Sequence, residues 1–312
     1  MRISKLLNIF ESVALFLLVS LLFYITIPVK TPKNLYISSK ATIEKLQKSG
    51  IDLGFVDELI LDTLGEVSEG WIYLGAERMN RIQLIYEIAS GRNRYRKVTL
   101  IPGETSHFFM KQLAREMDRN ESALLEAYRK ICFYKEGGIA ADSYNIPIRY
   151  DERRIISYLC SLSERRYRKL AIKNFGSYDK KRWNEILTIA SIIEKEAADR
   201  REMPLVSSVI YNRLKKRMRL QMDGTLNYGR YSHSRVTPER IRNDKSTYNT
   251  YRHSGLPDYP VCSVSLSAIE AALHPAKSDY LYFMKNRKGR HDFSKSYGRH
   301  LLNVHRKMER GR

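Results

Sequence analysis

The chain has 312 residues, 55 of them lysine or arginine and 34 aspartate or glutamate, so its formal net charge is +21. This length allows about two domains, and a hydrophobic content of 43% excludes a wholly disordered chain. Three cysteines without a C-x-x-C pair exclude a disulfide scaffold or a zinc ribbon and allow at most one disulfide. The charge predicts a polyanionic partner: nucleic acid, an anionic membrane surface or an acidic polymer.

The first predicted element is a membrane anchor over residues 9–29. The run carries a single charge, Glu11, and about 20 apolar residues suffice to cross the hydrocarbon core of a bilayer. A cleaved signal peptide is the alternative, but the run is long and no A-x-A-like site follows it. We therefore predict an uncleaved single anchor after a cytoplasmic stub of residues 1–8. If the rest of the chain lies outside the cytoplasm, nucleic acid is excluded as a partner.

Short helices and one strand are predicted next. Residues 41–50 have the pattern of an amphipathic helix that ends at a glycine, and residues 96–101 that of a strand. The turn at Pro102 and Gly103 then leads into a helix with an apolar face, and residues 121–134 predict another. The charged runs between residues 150 and 185 are typical of a solvated helix face.

One helix, predicted over residues 186–198, places a carboxylate beside apolar surface. At about 100° per residue, Glu194 lies about 65° from the centre of its apolar stripe and Glu196 about 95° away on the other flank. Apolar surroundings raise the pKa of a carboxyl group, which makes it a general acid near neutrality. Glu194 is therefore the predicted acid, although a boundary glutamate that reaches water has the same pattern. The stripe consists of Ile186, Ile189, Ala190, Ile193 and Ala197.

Two polar loops follow this helix, at residues 220–229 and 248–260. Amides, hydroxyls and tyrosine rings bind sugars through hydrogen bonds and stacking, although each loop alone is also typical of turns. The candidate substrate-binding residues in them are Gln221, Asp223, Thr225, Asn249 and Tyr251.

Other common catalytic patterns are absent from the sequence. It contains no H-E-x-x-H, Walker loop, G-x-S-x-G or G-x-G-x-x-G. The seven histidines have no metal-ligand spacing, so we predict no metal and no cofactor. His274 before a proline and His291 in G-R-H-D-F are interpreted as hydrogen-bonded structural residues.

The order of the motifs resembles that of the endolytic murein transglycosylases, the YceG-like family. The chain has IASIIEKEA, YNRL, LQMDGTLNYG, YNTYRHSGLP and SAIEAALHPAKSDYLYF, where the family has A-S-I-[VI]-E-K-E, N-R-L, L-Q-[TS]-D-P-T-x-x-Y, Y-N-T-Y-x-x-x-G-L-P-P and A-A-x-x-P-A-x-x-x-Y-L-Y-F. The likeness covers essentially the whole chain. Five motifs in one order make a chance resemblance very unlikely.

The resemblance implies an α+β fold with a single transmembrane helix, a LysM-like α/β module at about residues 97–131 and a mixed α+β catalytic domain. The periplasmic N-terminal region would be residues 30–150 and the catalytic domain residues 151–312. It also implies an inner-membrane lyase that cuts peptidoglycan between MurNAc and GlcNAc, leaves 1,6-anhydromuramic ends and helps to terminate strand elongation. Glycan strands, the membrane and peptidoglycan synthases would be its partners. The family's catalytic glutamate is identified as the first of E-K-E, Glu194.

Alternatives remain open at this point. A hydrolase would use Glu194 with Asp223 or Glu196 as a second carboxylate, and a scaffold would bind glycan without turnover. The chain also departs from the family at Met222, at Gly224 in place of proline, and at residues 263–265 in place of N-P-G. These departures leave the substrate-binding residues undecided.

Overall fold

The computed structural model describes residues 2–37, 43–64, 70–74, 76–90 and 94–309. Its helices and strands confirm the predicted mixed α+β class. The chain forms two compact units. Unit 1 comprises Met1–Lys97 with Asn145–Arg149, and unit 2 comprises Val98–Tyr144 with Tyr150–Arg312. Residues 98–144, which the sequence assigns to the N-terminal region, thus cluster with the C-terminal part of the chain.

The N-terminal apolar run forms helix α1 (Arg2–Thr26). Within it, Asn8–Thr26 is long and apolar enough to cross a membrane, and none of this stretch is buried. The helix ends before Pro28, because the residue that precedes a proline is disfavoured in the α conformation. Pro28 and Val29, which were predicted as the end of the anchor, belong instead to a short strand.

The rest of unit 1 is built from short elements around a small apolar core. Leu35, Ile72, Leu84 and Ile85 are among its buried side chains. One sheet pairs β1 (Pro28–Lys30) with β4 (Arg78–Asn80). Another has the strand order β2 (Asn34–Ile37), β3 (Gly70–Tyr73), β5 (Arg94–Leu100) and β6 (Asp142–Pro147). Of the helix predicted over residues 41–50, residues 41 and 42 lie outside the described residues. The elements are β1 (Pro28–Lys30), β2 (Asn34–Ile37), α2 (Ile43–Lys48), α3 (Phe55–Thr63), β3 (Gly70–Tyr73), β4 (Arg78–Asn80), α4 (Arg81–Ser90) and β5 (Arg94–Leu100).

Unit 2 is mainly helical. The predicted strand, turn and helix near residue 100 are confirmed as β5, a glycine turn at Gly103 with φ of 85°, and α5. The helix predicted to reach residue 134 ends at Ile131. The elements are α5 (Ser106–Met117), α6 (Glu121–Ile131), β6 (Asp142–Pro147), α7 (Glu152–Phe175), α8 (Lys180–Glu196), α9 (Met203–Lys215), two 3-10 turns (Asp223–Leu226 and Gly229–Tyr231), α10 (Pro238–Asn243), α11 (Leu266–Leu273), β7 (Tyr282–Lys285), β8 (His291–Ser294) and α12 (Tyr297–Glu309).

Helix α8 is the central element of unit 2. Asp179 caps its N-terminus by accepting a hydrogen bond from the backbone N–H of Arg182. Every residue from Ile186 to Ile193 is buried, so the helix is enclosed on all faces rather than along one stripe. Trp183 packs against Tyr167 in the same core. The last turn of α8 leaves this core and reaches the cavity described below.

The cysteines agree with the limit of one disulfide. Cys132, directly after α6, is bonded to Cys160 in α7, with 5.8 Å between the two Cα atoms. Cys262 is free and buried, and burial raises the pKa of its thiol.

Candidate active site

A cavity of about 440 Å³ lies within unit 2 at the C-terminal end of α8. Three parts of the chain form most of its wall: the end of α8, the segment after α9 and the β7–β8 hairpin. The residues that line it are Lys195, Glu196, Ala197, Ala198, Arg213, Leu220, Gln221, Met222, Asp223, Tyr251, Phe283, Met284, Lys285 and His291.

Glu196 is a lining carboxylate whose pKa lies well above its ordinary value. Burial raises its pKa to about 7, the hydrogen bond from the Gly224 N–H offsets part of this rise, and the charge of Asp223 adds to it. The Gly224 nitrogen lies 2.7 Å from Glu196 Oε1. A carboxyl group in this state is half protonated near neutral pH and can donate a proton there.

Gly224 allows the segment after α9 to approach Glu196 closely. A Cβ atom at this position would lie 2.6 Å from Lys195 Cβ and 2.8 Å from Glu196 Oε1. Only glycine fits without a shift of one of these groups. The N–H donated to Glu196 is also a group that a proline lacks, so the departure of this chain from the family pattern adds a hydrogen bond to the site.

We expect Gly224→Ala to lower turnover about tenfold, because displacing the Glu196 carboxyl misaligns a proton-transfer group whose full contribution is on the order of 10²–10⁴-fold. Steady-state kinetics of the catalysed reaction would measure the loss. Gly298→Ala is the matched control, since a Cβ at Gly298 meets nothing within 4 Å. Equal activities of the two variants would contradict the role of Gly224.

Glu194, the predicted acid, has different surroundings. Its Oε2 atom accepts hydrogen bonds from Ser265 N at 2.9 Å and from Ser265 Oγ at 2.7 Å. Ser265 is the N-cap of α11, and its hydroxyl also accepts from the Ala268 N–H. Glu194 therefore ties α8 to the start of α11 and is not among the residues that line the cavity.

The five predicted binding residues fall into two groups. Gln221, Asp223 and Tyr251 line the cavity. The Tyr251 hydroxyl donates to Asp223 Oδ1 at 2.8 Å, and burial together with this bond raises the pKa of Tyr251. Thr225 and Asn249 are fully buried and lie behind the wall.

Thr225 and Asn249 hold the loops that carry the lining residues. The Thr225 hydroxyl donates to the Met222 carbonyl at 2.7 Å. The Asn249 side-chain amide donates to the carbonyls of Ile241 and Asp244. Both residues thus satisfy buried backbone groups, which is a common role for small polar side chains in turns.

The segment that departs from the family pattern at residues 263–265 is structural. Ser263 N donates to the Glu104 carbonyl at 2.8 Å, and the Gly103 N–H donates to the Ser263 carbonyl at 2.9 Å. Ser263 thereby ties the turn before α5 to the start of α11, and Ser265 holds Glu194. Both serines thus bind other parts of the chain.

Sequence reasoning did not identify two lining residues, Arg213 and His291. The Arg213 guanidinium donates to the carbonyls of Leu281 and Leu220, at 2.6 Å each, and burial lowers its pKa. No described carboxylate pairs with it, so its positive charge remains in the cavity wall. Arg213 is the arginine of the N-R-L motif, whereas His291 has a partner 89 positions away, a separation that no local pattern reveals.

Across the described ranges, no group of three or more histidine, cysteine, aspartate or glutamate side chains is arranged to bind a metal ion.

Known proteins resemble this chain in sequence and in fold. The model of the YceG-like family matches residues 38–306. An endolytic murein transglycosylase of Bacillus subtilis (strain 168) is 43% identical over 118 residues, which are 38% of this chain and 32% of that protein. One of Streptococcus pneumoniae (serotype 2, strain D39) is 42% identical over 106 residues, 32% of this chain and 19% of that protein. The matched regions thus span a third or less of these curated relatives.

A solved structure extends the comparison to the fold. The crystal structure of a yceG-like protein from Listeria monocytogenes superposes with a TM-score of 0.60. The match covers 87% of this chain and 99% of the other, at 22% sequence identity. At this identity the likeness establishes a shared fold.

Proposed function

Because the chain belongs to the YceG-like family, we propose that it is an endolytic murein transglycosylase, a lyase that cuts peptidoglycan glycan strands internally. The observation that supports this most directly is the Glu196 carboxyl group in the cavity wall, with a pKa raised to about 7. A lytic transglycosylase needs one acid that is protonated near neutral pH, and Glu196 meets that requirement.

We propose Glu196, the second glutamate of E-K-E, as the general acid in place of Glu194. The two residues differ in their contacts: Glu196 lines the cavity, whereas the Glu194 carboxylate accepts two hydrogen bonds from Ser265. Glu194 then positions α8 and α11, and Glu196 reaches the substrate.

The proposed reaction breaks the bond between C1 of MurNAc and O4 of GlcNAc. Glu196 protonates O4 as it leaves, and the C6 hydroxyl of the same MurNAc attacks C1. The new C1–O6 bond closes the 1,6-anhydro ring, and the C6 hydroxyl proton passes to a base in the cavity. No water is consumed, so the reaction does not require a carboxylate to activate water.

A hydrolase is the second candidate, because Asp223 lines the same cavity as Glu196. An inverting muramidase uses one carboxylic acid and one carboxylate that activates water. Here Asp223 would be that base, and its exposure to solvent gives water access to it. A muramidase of this kind would leave reducing ends on the products.

We expect the purified protein to release muropeptides with 1,6-anhydromuramic ends from murein glycan strands. Mass spectrometry after borohydride treatment distinguishes them from hydrolase products, since only reducing ends gain two hydrogens. A product set of reducing ends alone would establish the muramidase. Binding of glycan without any product would establish a non-catalytic scaffold instead.

Basic residues in the cavity wall and in the segment that follows Arg213 support the same substrate class. Lys195, Arg213 and Lys285 line the cavity, and Arg213–Arg219 has the sequence RLKKRMR. These cations can hold the carboxylates of peptide stems by a non-specific, salt-sensitive attraction. We further propose that residues 97–131, which contain most of β5 with α5 and α6, form a LysM-like glycan-binding module.

The location we propose is the inner membrane, with α1 as a single-pass anchor and the catalytic region in the periplasm. The length and apolarity of Asn8–Thr26 support it. An enzyme held there meets strands as they are made, so we propose that it ends their elongation beside peptidoglycan synthases. A periplasmic reporter fused after residue 29 would test this topology.

A further inference from the structure

His291 and Glu202 form a carboxylate–histidine pair at the cavity. His291 Nδ1 lies 2.7 Å from Glu202 Oε2, and the His291 backbone N–H donates to Glu202 Oε1 at 3.0 Å. The side chains are only 8% and 10% exposed. His291 begins β8 and lines the cavity that Glu196 also lines.

The pair fixes the tautomer of the imidazole. A carboxylate only accepts hydrogen bonds, so the proton of the neutral ring resides on Nδ1. Burial of Glu202 opposes its ionisation, but the hydrogen bonds from His291 hold the pKa of that carboxyl below its usual value. Nε2 makes no hydrogen bond to any described residue and is not a fully buried atom, so its lone pair is free to accept a proton.

Other charged groups surround the imidazole. Lys285 is the register partner of His291 across the β7–β8 hairpin, and the Phe283 ring meets the imidazole edge to face. The remaining charged or titratable lining residues are Lys195, Glu196, Arg213, Asp223 and Tyr251. Three cations and two carboxyl groups thus share the cavity wall with the imidazole, and the Glu202 carboxylate compensates the charge that the ring gains when it accepts a proton.

We propose that His291 is the general base that accepts the C6 hydroxyl proton of MurNAc, with Glu202 as its positioning residue. In this step the C6 O–H bond breaks, its proton moves to Nε2, and the oxygen pair forms the C1–O6 bond. The C1–O4 pair leaves with O4, which takes the Glu196 proton. The enzyme ends with a carboxylate and an imidazolium, and proton exchange through solvent restores both.

This inference rests on the proposed transglycosylase function and names the base that accepts the C6 hydroxyl proton. An acid and a separate base can act in the same transition state, because neither has to change protonation state before the other acts. The carboxylate–imidazole pair has the same form as the base of other enzymes in which a buried carboxylate stabilises the imidazolium.

The test compares kcat, KM and the pH profile of the full-length wild type with those of His291→Gln, using uncross-linked murein glycan strands. We expect kcat to fall about 10²–10⁴-fold and KM to stay within about threefold of wild type. A general base must be unprotonated to act, so the wild type should lose kcat/KM at low pH (the acid limb), and this loss should disappear in His291→Gln. Glutamine retains the backbone bond to Glu202. Glu202→Gln is expected to lower kcat by a smaller factor and to shift the acid limb.

His233→Gln is the matched control. His233 also pairs with a carboxylate, Glu104, at 2.8 Å, but its side chain is 62% exposed and does not line this cavity. It is expected to behave as wild type. Loss of activity in both histidine variants would overturn the assignment, since it would not be specific to the cavity.

Three further results would overturn the proposal. They are a His291→Gln variant with wild-type kcat, a variant that changes KM alone, and a wild-type profile without an acid limb. The wild-type pH profile needs no variant, so it tests the proposal even if the His291→Gln protein does not fold. The products of the wild type test the proposed function separately. Products with anhydro ends would support the transglycosylase function even if His291 proved not to be the base, whereas reducing ends alone would contradict that function.

Discussion

Glu196→Gln is expected to lower the release of anhydromuropeptides by about 10³-fold while leaving the protein folded. Glutamine has nearly the same shape as glutamate, and its carbonyl oxygen can still accept the Gly224 N–H that lies 2.7 Å from Oε1. Its amide group can donate a hydrogen bond but is far too weak an acid to transfer a proton to the leaving oxygen. Initial rates from mass spectrometry of the products, with circular dichroism as the test of folding, would measure both effects.

The matched control is Glu194→Gln, two residues earlier on the same helix. Its carbonyl oxygen can keep both hydrogen bonds from Ser265, so we expect activity within a few-fold of wild type. The reverse result, an inactive Glu194 variant beside an active Glu196 variant, would return the acid to the residue that the sequence favours. The pair of variants therefore decides between the two glutamates of E-K-E.

The rate is expected to fall about tenfold per pH unit above pH 7, because the general acid must be protonated and the pKa of Glu196 is about 7. A profile of kcat/KM between pH 5 and 9 would measure it. A rate that stays constant from pH 6 to 9 would contradict the assignment. In Glu196→Gln the residual activity should lose this alkaline limb.

Stability should depend on pH through the same group. Burial raises the pKa of Glu196 in the folded state from 4.5 to about 7, so folding favours the protonated form. The contribution of Glu196 to the stability of the folded state is therefore complete below pH 4.5 and is lost as the pH rises through 7. Glu196→Gln removes the cost of the buried charge and should raise the free energy of unfolding by about 2 kcal/mol at pH 8. Thermal unfolding at pH 8 and pH 4 would show a difference only at the higher pH.

Much of the fold could be predicted because local patterns specify it. The long apolar run predicted α1, the strand pattern before Pro102 predicted β5, and the apolar stripe over residues 186–198 predicted the C-terminal part of α8, which begins at Lys180. The end of the anchor was placed too late, since Pro28 stops a helix although it is apolar. Hydrophobicity alone does not record this backbone restriction.

The choice of acid could not be predicted from a helical wheel. The wheel measures the angle between a side chain and an apolar stripe, but α8 is buried on all sides from Ile186 to Ile193. Its stripe therefore does not indicate which face meets the cavity. The two glutamates differ in their hydrogen-bond donors: Ser265 donates to Glu194, and the Gly224 N–H donates to Glu196.

The sequence by itself determined the N-terminal apolar helix, the α+β class, the family and three of the lining residues, Gln221, Asp223 and Tyr251. Each of these depends on composition, periodicity or an ordered motif, which are local properties of the chain. Only the tertiary structure decided that Thr225 and Asn249 lie inside the wall, that Glu196 faces the cavity, and that Glu202 meets His291. Those results depend on contacts between segments that are up to 89 residues apart, and both the desolvation and the hydrogen bonding of a side chain are set by such contacts.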